Sequence, residues 1–391
     1  MLESFSFYRT PLIHFGADCI DKLPESLPQD TNNVLLVTGK KSYSDSPFRE
    51  RIESLFSKQD ITAERVAVST EPKDQFIDEI CGKYRKRDID AVVAIGGGSV
   101  LDTGKAISAM LTVEGSIREY IEGIATRSHP GTKKPFIAIP TTSGTGSEAS
   151  ANSVITVSGT PEMKRSIRHT SFVPDVAIVD PQLTASCPEG ITAACGMDTL
   201  TQLIESYVST SASPVTDSLA EKALSIIEPA LFQAVRNGTD INARSAMAYA
   251  SLISGITLAN TGLGTVHGIA PVVGAGYSVP HGVACGLLLG PVTEATIGNL
   301  KRSNEHHHPV LRKYARIAEL LLHTTVEDPA EGSGMLIDYI EKLTAELKLP
   351  SFSEYNVREA DIEEMSQICR NKKNPVPLSN EQIRSVLMKK L

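Results

Sequence analysis

Residues 91–107, AVVAIGGGSVLDTGKAI, combine three local signals in one short segment. Residues 91–95 are rich in Val and Ile, which is typical of a strand buried on both faces of a parallel sheet. Three glycines follow at 96–98, and from Val100 onward apolar residues recur at helical spacing. Because glycine has no Cβ, the backbone can approach a phosphate closely, and the free amides at the start of a helix can bind it. The segment predicts a strand, a turn and a helix that form an anion site; the alternative is a turn that is only a tight connection.

Strands and helices alternate along the first half of the chain. Short apolar segments predict strands, and amphipathic segments between them predict helices. The predicted strands cover residues 34–38, 63–68, 91–95, 136–139, 154–156 and 176–179; the predicted helices cover 48–57, a segment opened by Pro72 and a segment after the glycine turn, and residues 39–42 are predicted as a loop. This alternation is typical of a doubly wound α/β domain that binds a nucleotide at the carboxyl ends of its strands.

The second half of the chain has a different pattern, because helical periodicity replaces the short β-branched runs. Predicted helices cover residues 197–208, 218–236, 243–258, 310–322, 335–347 and 381–389. Three consecutive histidines at 306–308 follow charged residues, and they are predicted to be an exposed loop rather than a metal site. The predicted fold is an α/β Rossmann-like, doubly wound domain over residues 1–185, followed by an all-α domain over residues 186–391.

Net charge and cysteine usage narrow the class of protein. The formal net charge is −8, which argues against nucleic acid or an anionic membrane as a partner. Six cysteines are scattered without a CxxC pair, which is typical of reduced thiols in a cytosolic protein. The chain starts without a basic, then apolar, leader, and no run reaches about 18 apolar residues, so neither a signal peptide nor a membrane span is predicted. We expect a cytoplasmic protein.

The helical half contains candidate metal ligands. Asp198 and Gln202 are four residues apart on one predicted helix, so their side chains share a face. His267 and His281 are each followed by Gly, and Gly274, Gly276 and Pro280 lie farther along between them. One continuous helix is therefore not expected, and the two imidazoles should converge from separate segments. These donors suit Fe2+ or Zn2+. The alternatives are hydrogen-bonded core histidines, a carboxylate that favours the helix dipole, and a Gln that is only a polar neighbour.

Seven motifs together resemble the iron-containing alcohol dehydrogenase family, over essentially the whole chain and in the family's order. They are GGGSVLDTGKAI, PTTSGTGSEAS, VPDVAIVDPQLT, GMDTLTQLIESYVS, VHGIA, VPHGVACG and NPVPLSNEQI. The resemblance implies a dehydroquinate synthase-like fold, with a dinucleotide-binding domain over residues 1–185, a helical metal-binding and catalytic domain over residues 186–391, and a cleft between them. It also implies reversible oxidation of a small primary alcohol or diol to an aldehyde with NADP(H) or NAD(H), and a homodimer.

The resemblance also implies roles for single residues. Gly97, Gly98 and Ser99 would contact the pyrophosphate, and Asp102 would contact the nicotinamide amide. Phosphate and ribose would be contacted by Thr141, Thr142 and Thr145, and further cofactor contacts would come from Lys164 and Leu183. The metal ligands would be Asp198, Gln202, His267 and His281, and all of these except Gln202 would also be the catalytic residues. Other interpretations remain open: Asp102 as a helix cap, Thr141 and Thr142 as partners of turn amides, and Lys164 as a solvated loop charge.

Three positions depart from the family's pattern. The family usually has His at the position of Gln202, and a second His at the position of Pro271, four residues after His267. An amide oxygen is a poorer ligand for Fe2+ or Zn2+ than an imidazole nitrogen, and if Gln202 does not bind, the other three ligands still form a site with room for water or substrate. Many relatives have Asp at the end of the first predicted strand, where this chain has Gly39.

The change at Gly39 bears on the choice of cofactor. A carboxylate there would bond the ribose 2′-hydroxyl and repel a 2′-phosphate. In its place, Gly39 is followed by Lys40, Lys41 and Ser42, which could accept the phosphate, so NADP(H) is predicted over NAD(H). The alternative is an exposed turn with two solvated lysines.

The predicted function is a metal-dependent, NAD(P)-linked alcohol dehydrogenase or aldehyde reductase. A divalent metal, Fe2+ in first place and Zn2+ as the alternative, would act as a Lewis acid on the substrate oxygen while hydride passes between substrate and nicotinamide. Two rival predictions are a metal-independent reductase on the same fold, with His267 or His281 as an acid, and a nucleotide-binding relative without catalysis.

Overall fold

The computed structural model describes residues 4–159, 162–302 and 308–391 of the chain. These residues form two compact units. One comprises Tyr8–Cys187 together with Gly238–Ala248; the other comprises Pro188–Asn237 and Tyr249–Leu391 together with the N-terminal residues before Tyr8. We call them the α/β unit and the helical unit. The predicted boundary after residue 185, and the role given to each side of it, remain predictions.

The α/β unit is built on a parallel sheet. Within the described residues the strands are β1 (Leu12–Phe15), β2 (Asn33–Gly39), β3 (Thr62–Val68), β4 (Ala91–Gly96), β5 (Phe136–Pro140), β6 (Asn152–Val157), β7 (Met163–Arg168) and β8 (Val176–Val179). Six of them pair in the order β1-β8-β5-β4-β2-β3, every pair parallel. The helices of this part of the chain are α1 (Leu23–Ser26), α2 (Lys40–Ser44), α3 (Arg49–Ser57), α4 (Asp74–Tyr84) and α5 (Gly98–Met110). The predicted doubly wound α/β architecture is confirmed.

Both faces of this sheet are covered, as the apolar strands predict. Along β2 and β4, alternate residues belong to two separate core clusters: Leu35 and Val92 lie in one, and Leu36 and Val93 lie in the other. Side chains that alternate in this way point to opposite faces of a sheet. A strand that is buried on both faces reads as a continuous apolar run, which is why β2, β4 and β5 could be predicted.

Strand order determines where a ligand can bind. The chain leaves β2 toward β3 on one side, and leaves β4 toward β5 on the other. The neighbouring carboxyl ends of β2 and β4 therefore form the topological switch point, where doubly wound sheets bind nucleotides. Gly39 ends β2 and Gly96 ends β4. The two glycine-containing turns singled out in the sequence thus lie beside each other at this edge.

The structure differs from the sequence-based prediction at five places in this unit, one of which is the short helix α1, which was not predicted. Strand β1 was not predicted, because it is a short, half-exposed edge strand whose one partner among the described strands is β8. Strand β7 is polar and was also missed; it pairs antiparallel with β6 in a separate two-stranded sheet. The predicted loop at 39–42 contains the start of α2. Helix α4 begins at Asp74 rather than at Pro72, because Lys73 is extended and bridges Thr156.

The helical unit matches six predicted helices within a few residues at their ends, except that the first of them begins eight residues earlier and the fifth, α12, six residues earlier. Its helices are α6 (Glu189–Val208), α7 (Pro214–Arg236), α8 (Ile241–Thr261, which starts in the α/β unit), α9 (Val266–Tyr277), α10 (His281–Arg302), α11 (His308–Leu322), α12 (Pro329–Glu346), α13 (Glu359–Ile368) and α14 (Asn380–Met388). Helices α9, α10 and α13 were not predicted. The predicted loop at the three histidines lies, apart from the first residue of α11, outside the described residues.

Helix α10 is long and apolar enough, by length and composition, to cross a membrane. Its most apolar stretch, however, is 78% buried inside the protein. A core helix of a folded unit is apolar all round for the same reason as a membrane span. We therefore interpret α10 as the central core helix of the helical unit.

Candidate active site

Helix α6 brings three polar side chains into the core of the helical unit. Asp198, Gln202 and Glu205 are all buried, although α6 is otherwise packed mainly by apolar and small residues. Their spacing of four and then three residues places them on one helix face. Buried acidic groups are rare unless they are paired, so the partners of this face identify its role.

The two histidines come from two different helices, as the intervening glycines and proline led us to expect. His267 is the second residue of α9, and His281 is the first residue of α10. The chain reverses between them at Ser278, which has a left-handed backbone with φ 55°. The two imidazole rings are 5.3 Å apart between centroids. Pro271 lies within α9 and ends neither helix.

The glycine that follows each histidine is required by close backbone packing. A Cβ at Gly268 would lie 1.6 Å from the carbonyl oxygen of Arg370. A Cβ at Gly282 would lie 2.2 Å from the carbonyl oxygen of Ala194. Backbone atoms cannot move aside as a flexible side chain can, so these two positions accept only glycine without a shift of the helix.

Four potential ligand atoms converge in this unit, from Asp198, His267, His281 and Cys285, all within 4.8 Å of one another. His267 Nε2 is 3.2 Å from Asp198 Oδ1, and His281 Nε2 is 3.7 Å from the same oxygen. Cys285 Sγ lies 3.7 Å from His267 Nε2 and 3.6 Å from His281 Nε2. Sequence reasoning missed Cys285. Its spacing of four residues from His281 would have pointed to it if a helix had been predicted there.

Glu205 orients His267. Its Oε2 lies 2.7 Å from His267 Nδ1, and its Oε1 accepts a hydrogen bond of 2.7 Å from the amide of Val266 at the start of α9. A carboxylate on one imidazole nitrogen fixes the ring and directs the other nitrogen, here Nε2, toward the ligand position. Glu205 was not among the predicted site residues.

Gln202 lies beside Asp198 but its oxygen has another partner. Gln202 Oε1 accepts a hydrogen bond of 2.7 Å from Ser254 Oγ. Its amide nitrogen donates to the Asp198 carboxylate. In this arrangement Gln202 holds Asp198 in place and does not direct an oxygen toward the four converging atoms.

The electrostatics of the group reflect its burial and its internal pairing. Burial alone would raise the pKa of Asp198, but His281, His267 and Gln202 outweigh it and hold that pKa below its ordinary value. Burial alone would lower the pKa of His267, but Cys285, Asp198 and Glu205 raise it well above the ordinary value. Burial raises the pKa of Cys285 to about 12. His267 lies between the carboxylates of Asp198 and Glu205, and this position favours the form of the ring that carries a proton on each nitrogen.

The donor set suits a divalent first-row metal. One carboxylate, two imidazoles and a nearby thiol match the ligand types of Zn2+ and Fe2+ sites. Glu205 supplies the carboxylate that typically supports a metal-binding histidine. The side chain of His281 is 33% exposed, whereas those of Asp198 and His267 are at most 5% exposed. His281 is therefore the most exposed member of the group.

The turn at the start of α5 in the α/β unit consists of glycines, which have no side chains of their own. Gly97 is the N-cap of α5, and Gly98 is its first residue. A Cβ at Gly98 would lie 2.5 Å from Thr145 Cγ2, and one at Gly97 would lie 3.3 Å from Thr142 Oγ1. The turn after β5 therefore packs its threonines against the glycine turn after β4. The amides at this helix start, including that of Ser99, lack intrahelical acceptors, which makes the position suitable for a phosphate.

Other predicted cofactor contacts of this unit have protein partners. Asp102 Oδ2 accepts a hydrogen bond of 2.9 Å from the amide of Val154, and its Oδ1 accepts one from Ser147 Oγ. Lys164 Nζ donates to Glu71 Oε1 at 2.6 Å. The remaining two lie near the strand ends: the Thr141 amide donates to the carbonyl oxygen of Gly96, and Leu183 is buried in the core.

The carboxyl end of β2 carries positive charge. Gly39 is the N-cap of α2, whose first turn contains Lys40 and Lys41, both exposed, and no acidic residue. A Cβ at Gly39 would lie 2.2 Å from Ser42 Oγ, so the hydroxyl of Ser42 takes the place of a side chain there. Arg65 of β3 donates to the carbonyl oxygens of Gly39 and Lys40, 3.1 Å in each case.

Comparison with known proteins agrees with this arrangement. Residues 10–181 match the family described as iron-containing alcohol dehydrogenase, and residues 192–391 match the C-terminal part of the Fe-containing alcohol dehydrogenase family. A long-chain-alcohol dehydrogenase 1 of Geobacillus thermodenitrificans is 32% identical over 391 residues, which cover 96% of this chain and 94% of that protein.

Two further relatives support the same assignment. An NAD-dependent methanol dehydrogenase of Bacillus methanolicus is 39% identical over 295 residues, which cover 75% of this chain and 74% of that protein. The crystal structure of a 1,3-propanediol oxidoreductase superposes with a TM-score of 0.87 at 30% identity and covers 100% of both chains. The chain belongs to the iron-containing alcohol dehydrogenase family and is an oxidoreductase that acts on the CH–OH group of alcohols.

Proposed function

We propose that this protein is a metal-dependent dehydrogenase that transfers hydride between a nicotinamide cofactor and a small primary alcohol or diol. The observation that carries the proposal is the buried group of Asp198, His267 and His281, whose donor atoms converge where a divalent metal would bind. When bound, such a metal lowers the pKa of an alcohol hydroxyl and polarises an aldehyde carbonyl.

We assign three residues of the helical unit as metal ligands and two as residues that position them. Asp198, His267 and His281 bind the metal; Gln202 and Glu205 hold Asp198 and His267 in place. This assignment replaces the expected amide ligand at Gln202, because its oxygen is bonded to Ser254. Three protein ligands leave a position for water or substrate, as catalytic metals require. The partial exposure of His281 favours entry of the substrate on that side.

We assign the cofactor to the switch point of the α/β unit. Gly97, Gly98 and Ser99 would bind the pyrophosphate at the start of α5, through backbone amides that lack intrahelical acceptors. Thr141, Thr142 and Thr145 would contact phosphate and ribose. When bound, the nicotinamide accepts or donates the hydride. Asp102, Lys164 and Leu183 remain expected contacts; Asp102 would use lone pairs that Ser147 and Val154 do not occupy.

NADP(H) is the proposed cofactor in preference to NAD(H). Lys40, Lys41 and Ser42 follow Gly39 without an acidic residue, so a 2′-phosphate would meet cations and a hydroxyl instead of a carboxylate. Arg65 adds a guanidinium beside the same turn. A cytoplasmic location and a homodimer remain part of the proposal. It also requires that the two sites serve one reaction, because hydride transfer brings nicotinamide and substrate together.

The test is metal analysis of protein purified without added metal, followed by activity measurements. Fe2+ or Zn2+ is added back to chelator-treated protein, and short primary alcohols and aldehydes are assayed with NADPH, NADP+, NADH and NAD+. We expect stoichiometric metal, activity that is lost on chelation and restored by metal, and higher kcat/KM with the phosphorylated cofactor. His281→Ala should lose the metal.

Each contrary result has a defined meaning. Activity that survives exhaustive chelation would instead support a metal-independent reductase. Full metal occupancy in His281→Ala would overturn the ligand assignment. Equal or better kcat/KM with NADH would overturn the cofactor preference and leave the metal assignment intact.

A further inference from the structure

We propose that Cys285 is the fourth protein ligand of the metal, bound as a thiolate, and that this ligand makes Zn2+ the preferred metal over Fe2+. The inference rests on the proposed metal function of the Asp198 group. It concerns a residue that is four positions from His281 on α10 and completely buried.

The distances to Cys285 match the edges of a tetrahedral site. With bonds of about 2.0 Å to nitrogen and about 2.3 Å to sulfur, a tetrahedral metal has nitrogen-to-sulfur edges of about 3.5 Å. Cys285 Sγ lies 3.7 Å from His267 Nε2 and 3.6 Å from His281 Nε2. The oxygen-to-nitrogen edges of such a site are about 3.3 Å. The observed distances from Asp198 Oδ1 are 3.2 and 3.7 Å.

The surroundings of Cys285 argue against a purely structural thiol. A buried cysteine usually serves as a small apolar side chain. Cys81 fits that description, since it lies in an apolar core cluster of the α/β unit. The sulfur of Cys285 instead faces Nε2 of His267 and Nε2 of His281. Both of these nitrogens also lie near the carboxylate of Asp198. A thiol in that position completes a set of four protein donors, one oxygen, two nitrogens and one sulfur, and the water or substrate of the proposed reaction would then bind as a fifth ligand, to which Zn2+ can expand.

Gln202 leaves the fourth corner to Cys285. Because the oxygen of Gln202 is bonded to Ser254, the α6 face offers only Asp198 to a metal. On binding, the Cys285 thiol and Nε2 of His267 would each give a proton to solvent, the metal–sulfur bond would form, and the carboxylate of Asp198 and the thiolate would balance the divalent cation. Thiolate is a soft donor that favours Zn2+, and Zn2+ also stands above Fe2+ in the general order of divalent affinities.

X-ray absorption at the metal K edge tests the bond directly in the wild-type protein reconstituted with Zn2+. We expect one sulfur neighbour at about 2.3 Å together with nitrogen and oxygen neighbours. Protein loaded with Co2+ should show a near-ultraviolet thiolate-to-cobalt charge-transfer band. Neither measurement needs a variant. Together they test whether Cys285 binds the metal even if a substitution at this position prevents folding.

Cys285→Ser provides the comparison, with Cys19→Ser as a matched control in the α/β unit, where the thiol is partly exposed. In Cys285→Ser we expect loss of the sulfur neighbour and of the cobalt band, and a Zn2+-over-Fe2+ preference reduced by at least about 10-fold in competition followed by elemental analysis. Cys19→Ser should match the wild type in all three measurements.

The outcomes separate this inference from the function on which it rests. Metal bound at full occupancy with only nitrogen and oxygen neighbours would overturn the role of Cys285 and leave the metal-dependent dehydrogenase standing. Protein that binds neither metal after reconstitution would overturn both. An unchanged metal preference in Cys285→Ser would overturn the proposed selectivity.

Discussion

Each unit contains a buried cluster of charged side chains, and the clusters differ in whether their own hydrogen bonds are complete. In the α/β unit the cluster surrounds Lys105 of α5, which is 1% exposed. Its ammonium donates to the carbonyl oxygens of Ser147 and Asn152, 2.8 Å in each case, and to the hydroxyls of Ser147 and Ser150. Asp102 lies 3.9 Å from it. The cluster is satisfied by protein atoms alone.

The cluster around Asp198 in the helical unit is not self-sufficient. It directs a carboxylate, two imidazoles and a thiol at one point. His267 can satisfy both Asp198 and Glu205 only while it carries an extra proton. A cation at that point would replace this proton and pair with every donor. The comparison teaches that buried charge alone does not indicate a metal site. Several donor atoms that converge on one point, with no protein group there to pair with all of them, do indicate one.

The largest expected effect breaks the Lys105 cluster. Lys105→Met removes the ammonium and leaves Asp102 and two buried carbonyl oxygens without it, so the free energy of unfolding should fall by about 3–5 kcal/mol. Denaturant unfolding measures the change, and no added metal should restore it. Lys342→Met, at a lysine that is 76% exposed, is the control and should change little. A loss below about 1 kcal/mol for Lys105→Met would show that the network contributes little to the fold.

A smaller effect sharpens the comparison through pH. Burial raises the pKa of Glu148, which follows Ser147, to about 7, although Lys105 opposes the shift. A raised carboxyl pKa means that the folded state holds the proton more tightly, so stability is lost as pH rises from about 4.5 to about 7. Glu148→Gln has no carboxyl to ionise and should not show this loss. Between pH 5 and pH 8 the free energy of unfolding of the wild type should therefore fall more than that of the variant, by at most about 3 kcal/mol.

Melting temperatures at the two pH values give that difference. Glu25→Gln, at an exposed glutamate, is the control and should follow the wild type. A Glu148→Gln variant whose stability changes with pH in the same way as the wild type would contradict the buried, protonated carboxyl.

The smallest effect acts on the open cluster without removing a ligand. Glu205→Gln keeps an oxygen for His267 Nδ1, but it removes the negative charge and offers an N–H group to the amide of Val266. Metal affinity, measured by competition with a chelator, should fall about 10- to 100-fold. Glu221→Gln, at a glutamate bonded to Tyr207, is the control. Unchanged affinity in Glu205→Gln would mean that Glu205 does not tune His267.

Much of the α/β unit could be predicted from the sequence because its central strands are buried on both faces. Such strands are continuous apolar runs, and the glycines after β4 mark the turn without ambiguity. The edge strand β1 and the polar strand β7 owe their structure to their partners β8 and β6, which local sequence does not show. Tertiary pairing decided these two elements.

The candidate site was predictable only in part. Asp198 and the two histidines are identifiable as ligand types, and the glycines and Pro280 between the histidines predicted that the two imidazoles converge from separate segments. The same glycines, and Pro271, concealed that both segments are helices, because α9 and α10 are stabilised by packing against core neighbours rather than by helix propensity. Without α10 in the prediction, the position of Cys285 could not be inferred. Ser254 lies on the predicted helix α8, but its contact with Gln202 depends on tertiary packing that local sequence does not show.

The two glycines that follow the histidines bear on how this family of sites can evolve. A metal ligand can be replaced when another donor is within reach. Position 202 illustrates this, because Gln202 does not bind the metal in our assignment and Cys285 supplies a donor instead. Gly268 and Gly282 lack that freedom, because the carbonyl oxygens of Arg370 and Ala194 occupy the space of any larger residue. In a library of random substitutions we expect these glycines to tolerate fewer replacements than the donors themselves, so the backbone arrangement should outlast the identity of its ligands.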